Sequence, residues 1–175
     1  MVWVFLYAPG YGPVNEALAA IGLPHPDWLY DSGWALTAIV LMSAWKYAGY
    51  FMLILLAALK LVPSDIYEAA RLEGLNAPQR LLYITLPLIS PTLYFVIVIG
   101  ILHSYQIFDY VYVMTQGGPA DSTNVLTYYI YQNGFQYQDI GYASTVANAL
   151  LLLMLGLIGL VAVTLGRRVH YLGDR

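Results

Sequence analysis

The sequence predicts an all-α integral membrane protein with three full spans, and three observations support that fold class. Hydrophobic residues make up 60% of the 175 residues and charged residues only 10%, and the mean hydropathy is +0.64. A soluble domain carries about 25% charged residues, so a soluble core could not absorb this much apolar surface. Three windows each reach the length of about 20 mostly apolar residues that a spanning helix needs. Helices are expected because an isolated span must satisfy its backbone hydrogen bonds internally, and no strand-like alternation is present.

Composition also excludes several classes of function. The net charge of −3 and the pI near 5.4 argue against a nucleic-acid-binding protein, which would carry a basic face. The chain has no cysteine, which excludes disulfides, thiolate metal sites and thiol catalysis. We therefore expect no nucleic-acid partner, no metal site and no cofactor.

The first element, residues 1–7 (MVWVFLY), is apolar but far too short to span a membrane. We expect it to be the end of a preceding span, which would make this chain the C-terminal part of a longer protein. An interfacial anchor is the alternative. Residues 8–34 are predicted to form an external loop. They precede the first full span, residues 35–60, whose interior carries a single charge at Lys46.

The remaining elements follow from the positions of the other two apolar windows. The second span carries Asp109 near its far end, and the third has no charge at all. Gly100, Gly156 and Gly159 lie inside these spans, where small residues let helices approach closely. The predicted order is a loop (61–87), the second span (88–113), an external loop (114–141), the third span (142–166) and a tail (167–175).

Lysine and arginine predict which side of the membrane each loop faces, since short cytoplasmic loops are enriched in both. Residues 8–34 and 114–141 contain neither, whereas six of the seven basic residues lie in or next to 61–87 and the tail. Loop 61–87 and the C-terminus are therefore predicted to be cytoplasmic. The six residues are Lys60, Arg71, Arg80, Arg167, Arg168 and Arg175. Tyrosines at the opposite ends of the spans are expected to form an outer aromatic belt: Tyr105, Tyr110, Tyr112, Tyr128, Tyr129 and Tyr131.

The cytoplasmic loop, with the sequence EAARLEGLNAPQRLLYITLP at residues 68–87, predicts a rigid helical hairpin. Asp65 is expected to cap its first helix, because Glu68 follows at the spacing of a capping box. Gly74 is placed to close that helix in a left-handed turn. Asn76 is placed to cap the second helix.

The same hairpin has features that suit docking against a partner protein. Two consecutive alanines, Ala69 and Ala70, allow close approach, and Glu68 could pair with a cation in a partner's cleft. The alternative is that Glu68 merely caps its helix. Pro87 and Pro91 are expected to interrupt the chain as it enters the second span.

The hairpin residues resemble the EAA loop of ABC importer permeases. The match runs from the Glu-Ala-Ala triplet through the glycine to the Leu-Pro pair, over 20 residues. The family usually has Asp-Gly-Ala where this chain has Glu73-Gly74-Leu75, so the acidic character survives and Leu75 departs. The resemblance implies a coupling helix that inserts into a cleft on a cytoplasmic ATP-binding subunit. The matched residues are Glu68, Ala69, Ala70, Glu73, Gly74, Ile84, Leu86 and Pro87.

The resemblance extends over almost the whole chain. Residues 12–29, 104–123 and 128–145 are similar to segments of permeases for sugars and glycerol-3-phosphate. The chain thus resembles the C-terminal half of a type I ABC importer transmembrane domain, with residues 1–7 ending the preceding span. This implies a multi-pass protein in the cell membrane of a prokaryote. The implied partners are a dimer of ATP-binding subunits, a second permease subunit in a heterodimer, an extracytoplasmic solute-binding protein and membrane lipid. The binding protein would dock near the tight turn expected at Gly117-Gly118-Pro119.

Polar residues inside the spans are candidates for contact with a solute, since such groups usually face the bundle interior or a watery cavity. In the first span, Ser43, Tyr47 and Tyr50 share one helix face at spacings of four and three. Lys46 is a further possible ligand, but its long side chain favours extension toward the interface. Similarity to maltose-type permeases implies solute contacts on the first two spans, and stacking would suit a sugar. The candidate pathway residues are Ser43, Tyr47, Tyr50, Gly100, His103 and Ser104.

The sequence favours a transport subunit over two other classes. An intramembrane enzyme would need paired acids, a metal cluster or a nucleophile beside a base, and none is evident. ATP would bind on another chain, because no phosphate-binding Gly-rich loop is present. A secondary carrier would be favoured by broken helices, and none is predicted. The favoured solute is a sugar or related polyol, and an amino-acid, peptide or metal-chelate importer stays open as the alternative.

Overall fold

The structure is a computed structural model that describes residues 2–166. Every regular element in this range is helical, which confirms the predicted class. The tail arginines Arg167, Arg168 and Arg175 lie outside the described residues. In chain order the elements are α1 (Val2–Leu6), α2 (Pro13–Ala20), α3 (Ala35–Lys60), α4 (Ser64–Leu72), α5 (Ala77–Arg80), a first π turn (Leu81–Thr85), α6 (Leu86–Leu88), α7 (Ser90–Tyr105), α8 (Phe108–Met114), α9 (Leu126–Tyr131), a second π turn (Gln132–Gln136) and α10 (Ile140–Thr164).

Three helical stretches are long and apolar enough to cross a membrane: Ala35–Lys60, Ser90–Met114 and Ile140–Thr164. Their limits fall within two residues of the predicted spans. The agreement follows from the length of the apolar windows, because a bilayer-spanning helix needs about 20 such residues. Both loops predicted as external contain helical elements, namely α2 in the first loop and α9 with the second π turn in the second.

The second span is broken, and the expectation of an unbroken helix there was wrong. Helix α7 ends at Tyr105 and α8 begins at Phe108. Between them the Gln106 amide donates to the His103 carbonyl three residues back, at 3.1 Å, and Ile107 leaves the helical conformation with φ −87° and ψ 15°. A hydropathy window averages over such a short break, so the sequence pattern does not reveal it.

The chain divides into two compact units. The first contains the residues up to Lys46 together with His103–Leu153, and the second contains Tyr47–Leu102 and the chain from Met154 onward. The first unit has two buried apolar clusters.

One cluster of the first unit anchors the loop between α1 and α3. It contains Tyr7, Trp28, Leu29, Ala38 and Met42. The Tyr7 hydroxyl donates to the Ala38 carbonyl at 3.2 Å. The Trp28 indole N–H donates to the Oδ1 atom of the buried Asn15 on α2 at 2.7 Å. The buried polar atoms of Tyr7, Asn15 and Trp28 therefore each have a hydrogen-bond partner, as burial requires.

The other cluster holds the segment that follows α8. Its buried members are Ile39 of α3, Val111 of α8 and Tyr128 of α9. Ile39 and Val111 are fully buried, and Tyr128 is 3% exposed. This packing fixes the position of α9 against α8.

Candidate functional site

The hairpin predicted to be cytoplasmic is built by α4, α5 and the first π turn, all within the second unit. Helix α4 begins at Ser64 with Pro63 in the N-cap position and no side-chain cap. Asp65 therefore lies inside the first helical turn, and the predicted Asp65 cap was wrong. Because the helix starts two residues earlier than predicted, Glu68 falls in its interior. The interpretation of Glu68 as a mere capping residue is therefore also wrong.

The end of α4 confirms the role predicted for Gly74. This glycine has φ +78°, a left-handed conformation that other residues rarely adopt. Its amide donates to the Arg71 carbonyl at 3.0 Å, and the Leu75 amide donates to the Ala70 carbonyl at 3.0 Å. This pair of bonds is a Schellman motif, which satisfies carbonyls that the helix end leaves without partners.

The start of α5 confirms the cap predicted at Asn76. Its side-chain oxygen accepts the Gln79 amide at 3.0 Å, and the Gln79 side chain accepts the Asn76 amide at 3.0 Å. The two residues thus form a complete capping box. Both ends of the turn between α4 and α5 are fixed by local hydrogen bonds.

Pro87 does not itself interrupt the chain. The first π turn, Leu81–Thr85, lies just before it, and the Leu86 amide bonds to the Leu81 carbonyl five residues back. A proline ring clashes with the carbonyl of the fourth preceding residue in an α-helix, and the wider π turn relieves that clash. The interruption falls at Ile89, which has φ −92° and ψ 5° and lies between Pro87 and Pro91, so the break predicted at the entry to the second span is present.

The matched hairpin residues divide into an exposed and a buried set. Ala70 is only 3% exposed, so this alanine serves the interior of the hairpin and is closed to a partner. Ile84, Leu86 and Pro87 are half-buried. Leu72, by contrast, is 91% exposed. We define the elbow tip as the exposed matched residues together with the exposed Leu72: Glu68, Ala69, Leu72, Glu73 and Gly74.

A side-chain contact that the sequence analysis missed links the two arms of the hairpin. The Tyr67 hydroxyl lies 3.2 Å from the Thr85 Oγ1 atom. Thr85 is 7% exposed, and its hydroxyl donates to the Arg80 carbonyl at 3.3 Å. The sequence offers only a weak indication of this contact. Tyr67 lies three residues before the buried Ala70, and residues at that spacing share a helix face.

The six candidate pathway residues fall into different units. Tyr47, Tyr50 and Gly100 belong to the second unit and surround Phe51, which the sequence analysis missed. The Phe51 ring centroid lies 6.1 Å from that of Tyr47 and 5.5 Å from that of Tyr50. A Cβ atom added at Gly100 would lie 3.7 Å from Phe51 Cζ. The sequence did not single out Phe51 as a candidate, because aromatic residues are common in apolar spans.

The other three candidates, Ser43, His103 and Ser104, belong to the first unit. The Ser43 hydroxyl is buried and has no hydrogen-bond partner among residues 2–166. A buried hydroxyl without a partner costs free energy, so this group has capacity to bind a further polar group.

Lys46 is exposed, and its ammonium is paired with a residue of the same unit. Its ammonium donates to the Tyr110 hydroxyl at 2.6 Å and lies 5.0 Å from the centroid of that ring. The pair borders a cavity of about 360 Å³ whose wall also includes Trp3, Trp45 and Asp109. The ammonium therefore finds an acceptor within the protein, where the sequence analysis favoured extension toward the interface.

The tight turn predicted at Gly117-Gly118-Pro119 is present. The peptide bond before Pro119 is cis, and Gly117 has φ +84°. The hydroxyl of Thr123, which is fully buried, donates to the Gly118 carbonyl at 2.8 Å and lies 2.7 Å from the Thr115 hydroxyl. These bonds fold the segment back onto the end of α8.

Aromatic residues cluster beside this turn. The ring of Tyr131 lies 5.2 Å from Phe108, 5.4 Å from Tyr112 and 6.0 Å from Tyr128. A hydrogen bond with Tyr112 raises the pKa of the Tyr131 hydroxyl. Of the predicted belt tyrosines, Tyr112 of the second span and Tyr128 and Tyr131 of α9 are thus in contact with one another.

Comparison with known proteins shows which family has this architecture. The model of the family described as binding-protein-dependent transport system inner membrane component matches residues 1–171. The sulfoquinovosyl glycerol transport system permease protein SmoG of Agrobacterium fabrum is 38% identical over 145 residues, covering 83% of this chain and 46% of that protein. The sn-glycerol-3-phosphate transport system permease protein UgpA of Yersinia pseudotuberculosis is 34% identical over 174 residues, covering 98% of this chain and 58% of that protein.

Solved structures give the same result for the fold. A bacterial ABC transporter involved in the import of the acidic polysaccharide alginate contains a similar chain, with a TM-score of 0.80 and 26% identity over 95% of this chain and 58% of that one. The chain spans about half the length of the curated relatives it matches, between 46% and 58%. Because the family model covers nearly all of the sequence, the chain belongs to the binding-protein-dependent transport system inner membrane component family.

Proposed function

We propose that this chain is part of the membrane-spanning permease subunit of an ATP-driven importer that carries a sugar or related polyol into the cytoplasm. The exposed elbow tip carries this proposal. It presents two carboxylates, Glu68 and Glu73, and one almost fully exposed leucine, Leu72, on a hairpin that is fixed at both ends. An exposed leucine flanked by charges on a rigid support suits insertion into a partner's cleft.

The partner that the elbow would engage is a cytoplasmic ATP-binding subunit, acting as a dimer. Closure of that dimer would move the cleft holding the elbow tip, and the spans would follow. Chemistry would take place on that subunit, and this chain would perform none. A second permease subunit would complete the pathway, and the C-terminal tail would lie in the cytoplasm.

The solute class is supported by the names of the relatives and by the residues on the first two spans. SmoG and UgpA are named for a glycosyl glycerol and for glycerol-3-phosphate. Tyr47, Tyr50 and Phe51 offer aromatic faces on which a sugar ring could stack, and the buried Ser43 hydroxyl could bond a solute hydroxyl. Gly100 is proposed to line the solute pathway in the second unit with these aromatic residues, and His103 and Ser104 are proposed to do so in the first unit.

The external turn at residues 117–119 would receive a solute-binding protein. A relative of known structure was solved in complex with a periplasmic protein carrying an alginate pentasaccharide. The turn supports such docking because its backbone is held by the buried Thr123. A preorganised surface loses less conformational freedom when it binds.

One observation favours a different class, and it is outweighed. The break between α7 and α8 is a feature expected of secondary carriers, whose spanning helices are often discontinuous. A carrier that uses no ATP would have no need of the elbow, and the family is one of binding-protein-dependent systems. The importer is therefore the function we propose.

Uptake by reconstituted vesicles tests the proposal. The full-length permease would be reconstituted with its partner subunits, and ATP-dependent uptake of glycerol-3-phosphate, a disaccharide and an amino acid would be measured. Glu68→Lys would be compared with Glu16→Lys, the same charge reversal on the exposed face of α2. We expect Glu68→Lys to retain at least about ten-fold less ATP-binding subunit on purification, because like charges at a docking surface cost several kcal/mol.

Two outcomes would refute the proposed function. One is an absence of ATP-dependent uptake of any polyol or sugar by the unaltered complex. The other is equal retention of the ATP-binding subunit by both charge reversals. Uptake of the amino acid alone would leave the importer class standing and replace the solute class.

A further inference from the structure

We propose that Tyr67 and Thr85 form a latch that ties helix α4 to the start of the second span. With the latch in place, a displacement of the elbow tip would also move the second span. Without it, the hairpin would bend and the span would move less. Tyr67 is thus a positioning residue for energy coupling, and the inference rests on the proposed function.

The direction of the hydrogen bond follows from the contacts of Thr85. Its hydroxyl proton is engaged by the Arg80 carbonyl at 3.3 Å. Its oxygen is then left to accept, so the Tyr67 hydroxyl, at 3.2 Å, is the donor. Thr85 is 7% exposed, and a bond to such a shielded acceptor is protected from competing water.

The other bonds that shape the turn between the arms are local. Those of the Schellman motif join Gly74 to Arg71 and Leu75 to Ala70, and the capping box joins residues only three apart. They fix the form of the turn but do not reach from α4 to the π turn. The contact between Tyr67 and Thr85 joins residues 18 apart and does make that connection.

The two arms of the hairpin meet at Gly74, where the Schellman bonds hold the backbone. Its φ of +78° lies in a region that glycine enters freely, and a Cβ atom added there would meet nothing within 4 Å. Side-chain packing at this position therefore does not reinforce the Schellman bonds. A tether across the two arms would supply that reinforcement when the tip and the span move together.

The acceptor end of the latch is well placed to pass on such a motion. Thr85 is the last residue of the π turn, and α6 follows it directly, with α7 after the interruption at Ile89. The Ile89 amide still donates to the Thr85 carbonyl at 3.0 Å, so the same residue is bonded to both the elbow and the entry to the second span.

The test separates coupling from assembly. The full permease, with its partner subunits in vesicles, would be assayed for ATP hydrolysis and for solute uptake in the same preparation. Tyr67→Phe removes only the donor hydroxyl, and Thr85→Val removes the acceptor while keeping the shape. Thr85→Ser keeps the hydroxyl, and Tyr83→Phe removes a hydroxyl from a tyrosine of the same hairpin that is 72% exposed.

We expect Tyr67→Phe and Thr85→Val each to lower the solute carried per ATP by about two- to ten-fold, the range that one net hydrogen bond provides. Hydrolysis and the content of ATP-binding subunit should be unchanged. The double variant should be no worse than Thr85→Val, since that variant already removes the bond to Tyr67. Thr85→Ser and Tyr83→Phe should behave as the unaltered protein.

Three results would overturn the latch while leaving the proposed function intact. These are an unchanged ratio in Tyr67→Phe, additive losses in the double variant, and a loss of the ATP-binding subunit from the single variants. If the unaltered complex shows no ATP-dependent uptake, the proposed function fails and the latch falls with it.

Discussion

At the scale of single residues, the turn at residues 117–119 shows how one glycine can be required. Gly117 is buried and has φ +84°. A Cβ atom at this position would lie 2.8 Å from Tyr128 Cε1, closer than real Cβ contacts. Tyr128 is 3% exposed and packs against Ile39 and Val111, so its ring cannot move aside at low cost.

Gly117→Ala is expected to destabilise the protein by about 1–3 kcal/mol, through the left-handed backbone and the clash together. Thermal unfolding of the full-length permease in detergent would measure the effect. Gly156→Ala is the matched control, because Gly156 lies in α10 with nothing within 4 Å of an added Cβ. Equal melting temperatures for the two variants would contradict the explanation.

The sequence predicts the turn at residues 117–119 but not the side chains that contact it. Adjacent glycines followed by proline predict a turn from local conformational preferences alone. That Tyr128 closes on Gly117, and that Thr123 bonds Gly118, depends on how α9 folds back onto α8. Ser43 is similar: its position on a helix face was predictable, but the absence of a hydrogen-bond partner within residues 2–166 was not.

At the scale of elements, the hairpin owes its rigidity to how its helices end. The Schellman motif at Gly74 and the capping box at Asn76 satisfy backbone groups that short helices would otherwise leave without partners. Helix α5 has only four residues before the π turn begins, so it depends on its cap.

Asn76→Ala is expected to loosen α5 by about 0.5–2 kcal/mol, the usual cost of losing a capping side chain. Faster amide exchange at Gln79 and Arg80, whose amides bond to the side-chain and backbone oxygens of Asn76, would report it. Asn76→Asp keeps an oxygen acceptor and should preserve the protection. Unchanged exchange in Asn76→Ala would show that tertiary packing, and not the cap, holds the helix.

The sequence predicted elements well where one strong signal governs them. Apolar length set the three spans, and Gly74 and Asn76 marked the helix ends. Asp65 failed as a cap because Pro63 allowed α4 to begin earlier. The π turn and the break after Tyr105 were missed because each is a short change of hydrogen bonding within an otherwise helical pattern.

At the scale of the whole molecule, the central claim is that the elbow tip meets an ATP-binding subunit in the cytoplasm. Family membership gives the class of protein, and the exposed Leu72 beside two carboxylates gives the surface. The predicted orientation depends on the distribution of Lys and Arg along the sequence. Three of these arginines lie in the tail, outside the described residues. One experiment can test the contact and the orientation together.

The most direct measurement is site-specific cross-linking in native membranes. These 175 residues contain no cysteine, so Ala69→Cys adds a single thiol to this region at the elbow tip. Ala19→Cys, on the exposed face of α2 in the loop predicted as external, is the matched control. The account predicts a thiol-directed cross-link to an ATP-binding subunit from Ala69→Cys and none from Ala19→Cys. No adduct from Ala69→Cys, or the same adduct from Ala19→Cys, would contradict it.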